Sequence, residues 1–462
     1  MASDSSRQSS TPSAIAREAQ DICQTLLRMD TTNPPGNERP AADYLQGLLE
    51  EVGYETHLLE SAPTRANLVC RHKGTGAAEP LLLTAHLDVV EAHEEHWHHP
   101  PFSGAIADGC LWGRGAIDMK NMAAMCTALM RRLARDEVEL ERDVIFAAVA
   151  DEEAGCEFGS QFLVEEHPEL VRAEYALGES GGFSLNLGGT AFYPVQVAEK
   201  GCLWLRARFR GEPGHGSMPR ADSAVVQLGE AVAKLGKTRL PAHPTEHVRD
   251  FLQAVAQAQP AFARPLLRVL SHPRLLPRIL TLLPDQGVAR GFMALLSNTA
   301  TPTVIDAGAK VNVIPGEAEL LIDGRTLPGQ SEEDLMREIR AVIGDDVEFE
   351  IIKSMPPVVT EPVESPLYDT IVTELTRVER EAIVVPYLIP GFTDAKQFTR
   401  LGTRWYGFSP VKLEPKSGLR FADMFHGHNE RIPLAGLHWG TDLLYSVVTA
   451  FCSASKGRSA GR

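Results

Sequence analysis

The sequence has no run of about 18 apolar residues, the length needed to cross a bilayer as a helix, so no membrane-spanning helix is expected. Its seven cysteines, Cys23, Cys70, Cys110, Cys126, Cys156, Cys202 and Cys452, never fall in a CxxC spacing. That removes ribbon-type zinc sites and thioredoxin-like redox motifs, and the scattered, odd set reads as reduced thiols of a cytoplasmic protein. Positive charge is in deficit: 45 Lys and Arg against 61 Asp and Glu give a net charge of −16. A basic surface for nucleic acid or anionic membrane is therefore not expected. The Ser- and Thr-rich start, Met1 to Pro12, lacks the apolar core of a secretory signal. Repeats and low-complexity tracts are absent too, and the tail from Ser453 reads as frayed.

A chain of 462 residues exceeds one ordinary core. Helical periodicity over Ala14–Met29 stops at the turn Thr31-Thr32-Asn33-Pro34-Pro35-Gly36, and a second amphipathic helix spans Ala41–Val52. Short apolar runs at Leu81–Ala85, Val144–Val149 and Glu174–Leu177 have the pattern of strands buried on both faces, with a helix over Asp118–Leu133 between them. From about residue 198 the pattern changes. Leu203–Arg210 and Glu317–Asp323 alternate apolar and polar residues, and helical stretches follow at Ala221–Leu235 and Glu332–Val342. Buried-type patterning returns with a helix from Leu367, a strand at Ala382–Tyr387 and a helix over Ala435–Phe451. The expected fold class is α/β: a mostly parallel-sheet catalytic domain (1–197 and 357–462) interrupted by an inserted α+β lid or dimerisation domain (198–356), with an extra helical segment near 241–298.

Chemistry-bearing residues gather at the ends of the buried strands. His86-Leu87-Asp88 follows the first, Asp151-Glu152-Glu153 the second and Glu179 the third, while Asp118 opens a helix. The carboxyl ends of such strands are where α/β sheets place ligands. Singly, each residue has an ordinary explanation, such as a helix cap for Asp118 or a solvated surface for the glutamates. Together they predict one crevice of imidazoles and carboxylates, donors that suit zinc and related divalent ions.

The runs His86-Leu87-Asp88, Gly113-Arg114-Gly115-Ala116-Ile117-Asp118-Met119-Lys120 and Asp151-Glu152-Glu153 closely resemble the M20 metallopeptidase and amidohydrolase family. Glutamate carboxypeptidase, succinyl-diaminopimelate desuccinylase, acetylornithine deacetylase, aminoacylase-1 and carboxypeptidase S belong to it. The resemblance implies two divalent metal ions, Zn2+ first, with Co2+ or Mn2+ as alternatives. His86 and Glu179 would hold one ion, Glu153 and His426 the other, and Asp118 would bridge them. Asp88 would orient His86, and Glu152 would be the general base. His426 is chosen over His428 because His426-Gly427-His428-Asn429-Glu430 fits the family register.

From the inserted domain the resemblance implies that His215 stabilises the oxyanion in the partner subunit of a homodimer, with Asn312 in a similar task. Arg325 would bind the substrate's carboxylate, and Gly391 lies in a loop lining the substrate pocket. Phe392 departs from the family there, standing where a small residue is common. His93, His96, His98 and His99 are read as decorating a solvated loop, with Trp97 and Pro101-Phe102 beside the cleft. The activity implied is hydrolysis of an amide bond in N-acyl-amino acids or short peptides next to a free carboxylate. An N-carbamoyl-amino-acid hydrolase, an aminopeptidase or a non-catalytic metal-stabilised binding protein are the alternatives.

Overall fold

A computed structural model of the chain describes residues 11–187, 189–258, 286–414 and 419–453. Nearly all of the Ser- and Thr-rich start and of the polar tail, together with the middle of the 241–298 segment, lie outside the described residues. The chain divides into two compact units, one of residues 1–195, 361–384 and 397–462, the other of 196–360 and 385–396.

In the first unit the strand order is Thr56–Ala62, Arg65–His72, Arg142–Val149, Ala78–His86, Tyr175–Gly178, Arg404–Gly407, and then the strand Thr190–Glu199, in which the division between units falls. Ala78–His86 pairs in parallel with both Arg142–Val149 and Tyr175–Gly178, and Arg404–Gly407 is parallel to Tyr175–Gly178. Leu81, Leu82, Leu83, Val144, Ile145 and Phe146 are fully buried, as expected of strands covered on both faces. The opening antiparallel hairpin, Thr56–Ala62 with Arg65–His72, is not apparent from periodicity. The helix Ala14–Leu27 is capped by Ser13, whose side chain accepts from the Ala16 amide. It packs its Ile15, Ala19, Ile22 and Leu26 face against the helices Lys120–Arg135 and Leu434–Cys452.

The second unit is built on an antiparallel sheet in the order Thr299–Ala307, Glu317–Thr326, Gly201–Arg210, Glu348–Met355. Inward residues Leu203, Leu205, Ala207, Phe209, Leu320 and Ile322 pack on Leu228 of helix Ala224–Lys237 and on Leu335 and Ile339 of helix Glu332–Ile343. The outward residues form a ladder of charge: Arg206, Arg208 and Arg210 pair with Glu317, Glu319, Glu348 and Glu350 on the two flanking strands. No helix among the described residues is long and apolar enough to cross a membrane. All seven cysteines are buried, and none is in a disulfide bond.

Candidate active site

Five segments of the first unit meet near the carboxyl ends of its parallel strands. His86 is the last residue of its strand, Glu152 and Glu153 lie in the turn after Val149, and Glu179 follows Gly178 directly. Asp118 sits between the strand Cys110–Trp112 and the helix Lys120–Arg135. That helix begins two residues later than its sequence suggests, and its N-cap position is Met119, with no side-chain cap bond. Asp118 is therefore not spent on the helix terminus, and its carboxylate points to two histidines. Oδ1 is 3.0 Å from His86 Nε2 and Oδ2 is 3.2 Å from His426 Nε2. His426 Nε2 is also 3.1 Å from Glu153 Oε2, and His86 Nε2 is 4.0 Å from Glu152 Oε2.

Two three-residue groups have donor atoms close enough to surround one ion each: His86, Asp118 and Glu179, and Asp118, Glu153 and His426. A third grouping, His86 with Glu152 and Glu153, overlaps them. The donor chemistry fits divalent cations. Four carboxylates face two imidazoles in a largely buried site, and Glu153 Oε1 is buried without a hydrogen-bond partner, a costly state for an anionic oxygen that a cation would relieve.

The electrostatics follow from that crowding. Burial works against protonation of His86 and His426, but hydrogen bonds to the carboxylates outweigh it. Asp118 and Asp88 carry the pKa of His86 well above its ordinary value; Asp118 and Glu153 raise that of His426 to about 10. Burial opposes the charge on Asp118, yet the two histidines hold its pKa well below the usual carboxylate range. Glu153 is pushed the other way, by burial and by repulsion from Asp118.

Asp88 has contacts beyond His86. His86 Nδ1 lies 3.0 Å from the Asp88 main-chain oxygen and 3.5 Å from its Oδ1. The Asp88 carboxylate accepts from the backbone amides of Glu152 and Glu153, both at 3.1 Å, and so fixes the turn that presents them. Asn33 Nδ2 donates to Asp88 Oδ2 at 2.8 Å and to Asp151 Oδ1 at 3.0 Å. Arg65 then joins Asp151 (2.7 Å) to the buried Glu38 (2.8 Å). Sequence reasoning missed Asn33, Glu38 and Arg65, and it named Asp151 only as part of its run, with no role of its own. The one signal was the turn Thr31–Gly36, which reads as a helix stop because nothing local reveals that its amide reaches residues 88 and 151.

The remaining candidates lie in the second unit. His215 and Asn312 adjoin in a two-stranded ribbon, Gly214–His215 with Val313–Ile314; both are exposed, and His215 Nδ1 is 2.8 Å from Ser217 Oγ. Arg325 is held by Asp323 through Nε at 2.8 Å and Nη2 at 3.2 Å, with the Phe392 ring 5.0 Å from its guanidinium carbon. Its Nη1 is buried with no hydrogen-bond partner. Gly391 is half-buried beside Phe392, and a Cβ there would meet nothing within 4 Å.

The model of peptidase family M20/M25/M40 matches residues 82–450. The chain belongs to that family. Human N-fatty-acyl-amino acid synthase/hydrolase PM20D1 is 28% identical to it over 384 residues, 80% of this chain and 74% of that protein. Aminoacylase-1A of Rattus norvegicus is 26% identical over 443 residues, 94% and 95% of the two chains. The solved M20 family metallo-carboxypeptidase Sso-CP2 from Sulfolobus solfataricus superposes with a TM-score of 0.69 at 17% identity, covering 95% of this chain and 99% of that one. At that identity the likeness is one of fold, and it agrees with the α/β class expected from the sequence. This member of the M20 family is a hydrolase, and its relatives place amide-bond cleavage as its reaction.

Proposed function

We propose that this M20 hydrolase uses two divalent ions, zinc first among them, to cleave N-acyl-amino acids or short peptides beside a free carboxylate. The observation that carries the reading is the division of Asp118, one oxygen toward His86 and the other toward His426. His86 and Glu179 would hold one ion, Glu153 and His426 the other, and Asp118 would join them. Two ions so placed supply a water of lowered pKa and a polarised scissile carbonyl. Both imidazoles, Glu153, Glu179 and the shared Asp118 are then accounted for in the two ligand groups, and Glu152 lies outside them with its Oε2 4.0 Å from His86 Nε2. Glu152 takes the proton from the attacking water and returns it to the departing amine. In a homodimer, His215 from the second copy, with Asn312 in a similar task, would donate to the carbonyl oxygen as negative charge develops on it.

Loading of the site should release protons. In the metal-free chain His426, raised to about 10, stays protonated at pH 8, and the carboxylates shift His86 in the same direction, whereas a ligand imidazole must be neutral. Calorimetric zinc titration at pH 8, in buffers of different ionisation enthalpy, should show release of at least about one proton per chain, from His426. The apparent affinity should fall as pH is lowered. Zinc binding with no proton release would dissociate these histidines from the ions.

Carboxylate recognition rests on Arg325, whose Asp323 and Phe392 contacts fix the guanidinium while Nη1 stays unsatisfied. A hydrogen bond to a charged group contributes about 1.5–3 kcal/mol, so Arg325→Ala should raise KM for free-acid substrates about ten- to a hundredfold. A panel of N-acyl-amino acids, dipeptides and their C-terminal amides is the decisive measurement. Equal cleavage of acids and amides by the native enzyme would remove this assignment, and the names of the relatives make long-chain acyl groups the first to include.

The same reading makes the enzyme a homodimer. The edge strand Thr299–Ala307 has Val304 and Ile305 about half exposed, and the neighbouring helix exposes Val225 and Val226. An unpaired, apolar strand edge favours pairing with another chain. Sedimentation velocity showing only monomer at micromolar concentration would end this part of the proposal.

A further inference from the structure

The histidines beside the main site do not all simply decorate a loop. His96, at the end of the turn Glu94–His96, and His428, in the segment that carries His426, bring their rings to 4.9 Å between centroids with their planes tilted by 54°. Both side chains are exposed. Two hydrogen bonds from Asn429 hold the segments in this register. The His98 amide donates to Asn429 Oδ1 at 2.7 Å, and Asn429 Nδ2 donates to the His96 carbonyl at 3.3 Å. Beneath them Trp97 is buried, with the Arg114 guanidinium carbon 5.3 Å from its ring centre. The pair therefore sits on a supported base, and neither histidine belongs to the three-residue groups that share Asp118.

We propose that His96 and His428 form a third, weaker cation site for an imidazole-preferring divalent ion such as zinc, nickel or copper. Two imidazoles bound at about 2.0–2.1 Å with a near-tetrahedral angle set their ring centroids about 5 Å apart, close to the observed 4.9 Å. Imidazole nitrogen selects these ions over calcium or magnesium. Water completes the coordination sphere, which makes the site exchangeable, unlike the buried centre.

The test is a zinc titration of the holoenzyme by equilibrium dialysis, with metal content read by mass spectrometry. His96→Gln, His428→Gln and, as a control, His93→Gln are run beside the native protein. All three positions are exposed, so folding is not at issue. The native protein and the His93 variant should take up one exchangeable zinc beyond the tightly held ions. In the His96 and His428 variants that affinity should fall by at least the about 10–100-fold that disturbing a ligand's hydrogen-bond partner costs. The tight ions should remain. No extra equivalent in the native protein, or one that persists in either variant, would overturn the proposal. Loss of a tight ion in His428→Gln would overturn it too, by assigning His428 to the main centre. A native protein with fewer than two tight ions would count against the two-ion reading alone.

Discussion

Replacing Glu152 with glutamine should leave the metal content at the native stoichiometry and lower turnover by about a hundred- to ten-thousandfold, the contribution of a positioned general acid–base. The substitution keeps the shape of a buried side chain, so loss of fold does not compete as an explanation. The two outcomes separate two geometries that both exist in the site. If Glu152 stands beside the groups sharing Asp118, the ions stay and only proton transfer fails. If instead the overlapping group of His86, Glu152 and Glu153 is the ligand set, zinc should leave together with activity. Metal analysis and single-substrate kinetics on the same preparation decide between them. Native turnover in the variant would remove Glu152 from any catalytic role.

A second large effect is expected at Glu430, through stability. Its carboxylate is fully buried and accepts from four donors: Arg114 Nη1 at 2.7 Å and the amides of Gly115 (3.2 Å), Ile117 (2.7 Å) and Asp118 (3.2 Å). It thereby fastens the loop carrying Asp118 to the segment carrying His426. Removing one partner of a buried ion pair leaves an uncompensated charge and costs about 3–5 kcal/mol. Glu430→Ala should therefore shift the urea midpoint of the metal-free protein well down, and reloaded zinc should be held more weakly. Glu430→Gln, which keeps some acceptor capacity, should fall between. An unchanged midpoint in the alanine variant would mean that the loop is held by other contacts.

The parallel strands were legible in the sequence because burial on both faces forces continuous apolar runs. The strands Gly201–Arg210 and Glu317–Thr326 were legible for the opposite reason: one wet face makes them alternate. The hairpin Thr56–Ala62 and Arg65–His72 was not, since Leu58-Leu59 and Leu68-Val69-Cys70 show neither a clean run nor a clean alternation. The site behaved in the same way. His86, Asp118, Glu152, Glu153 and Glu179 follow strands or precede a helix, so local pattern locates them. Asn33 acts on Asp88 and Asp151, respectively 55 and 118 positions away, and no local pattern encodes a partner at that range. His96 and His428 are separated more widely still. Their proximity is a property of the folded chain alone.

Asn33, Asp151 and Glu430 come from the beginning, the middle and the end of the first unit, and each supports the same few atoms. That unit is itself assembled from three stretches of chain with the second unit threaded between them. The stretch 1–195 therefore holds His86, Asp118, Glu153 and Glu179 but not His426, and the group of Asp118, Glu153 and His426 is complete only once the segment around residue 426 has docked. Contacts of such long sequence separation form late and slowly. On the proposed two-ion reading, acquisition of metal would be a clock for completion of the fold, and a chain truncated before residue 426 would be left with carboxylates that have no second histidine to share an ion with.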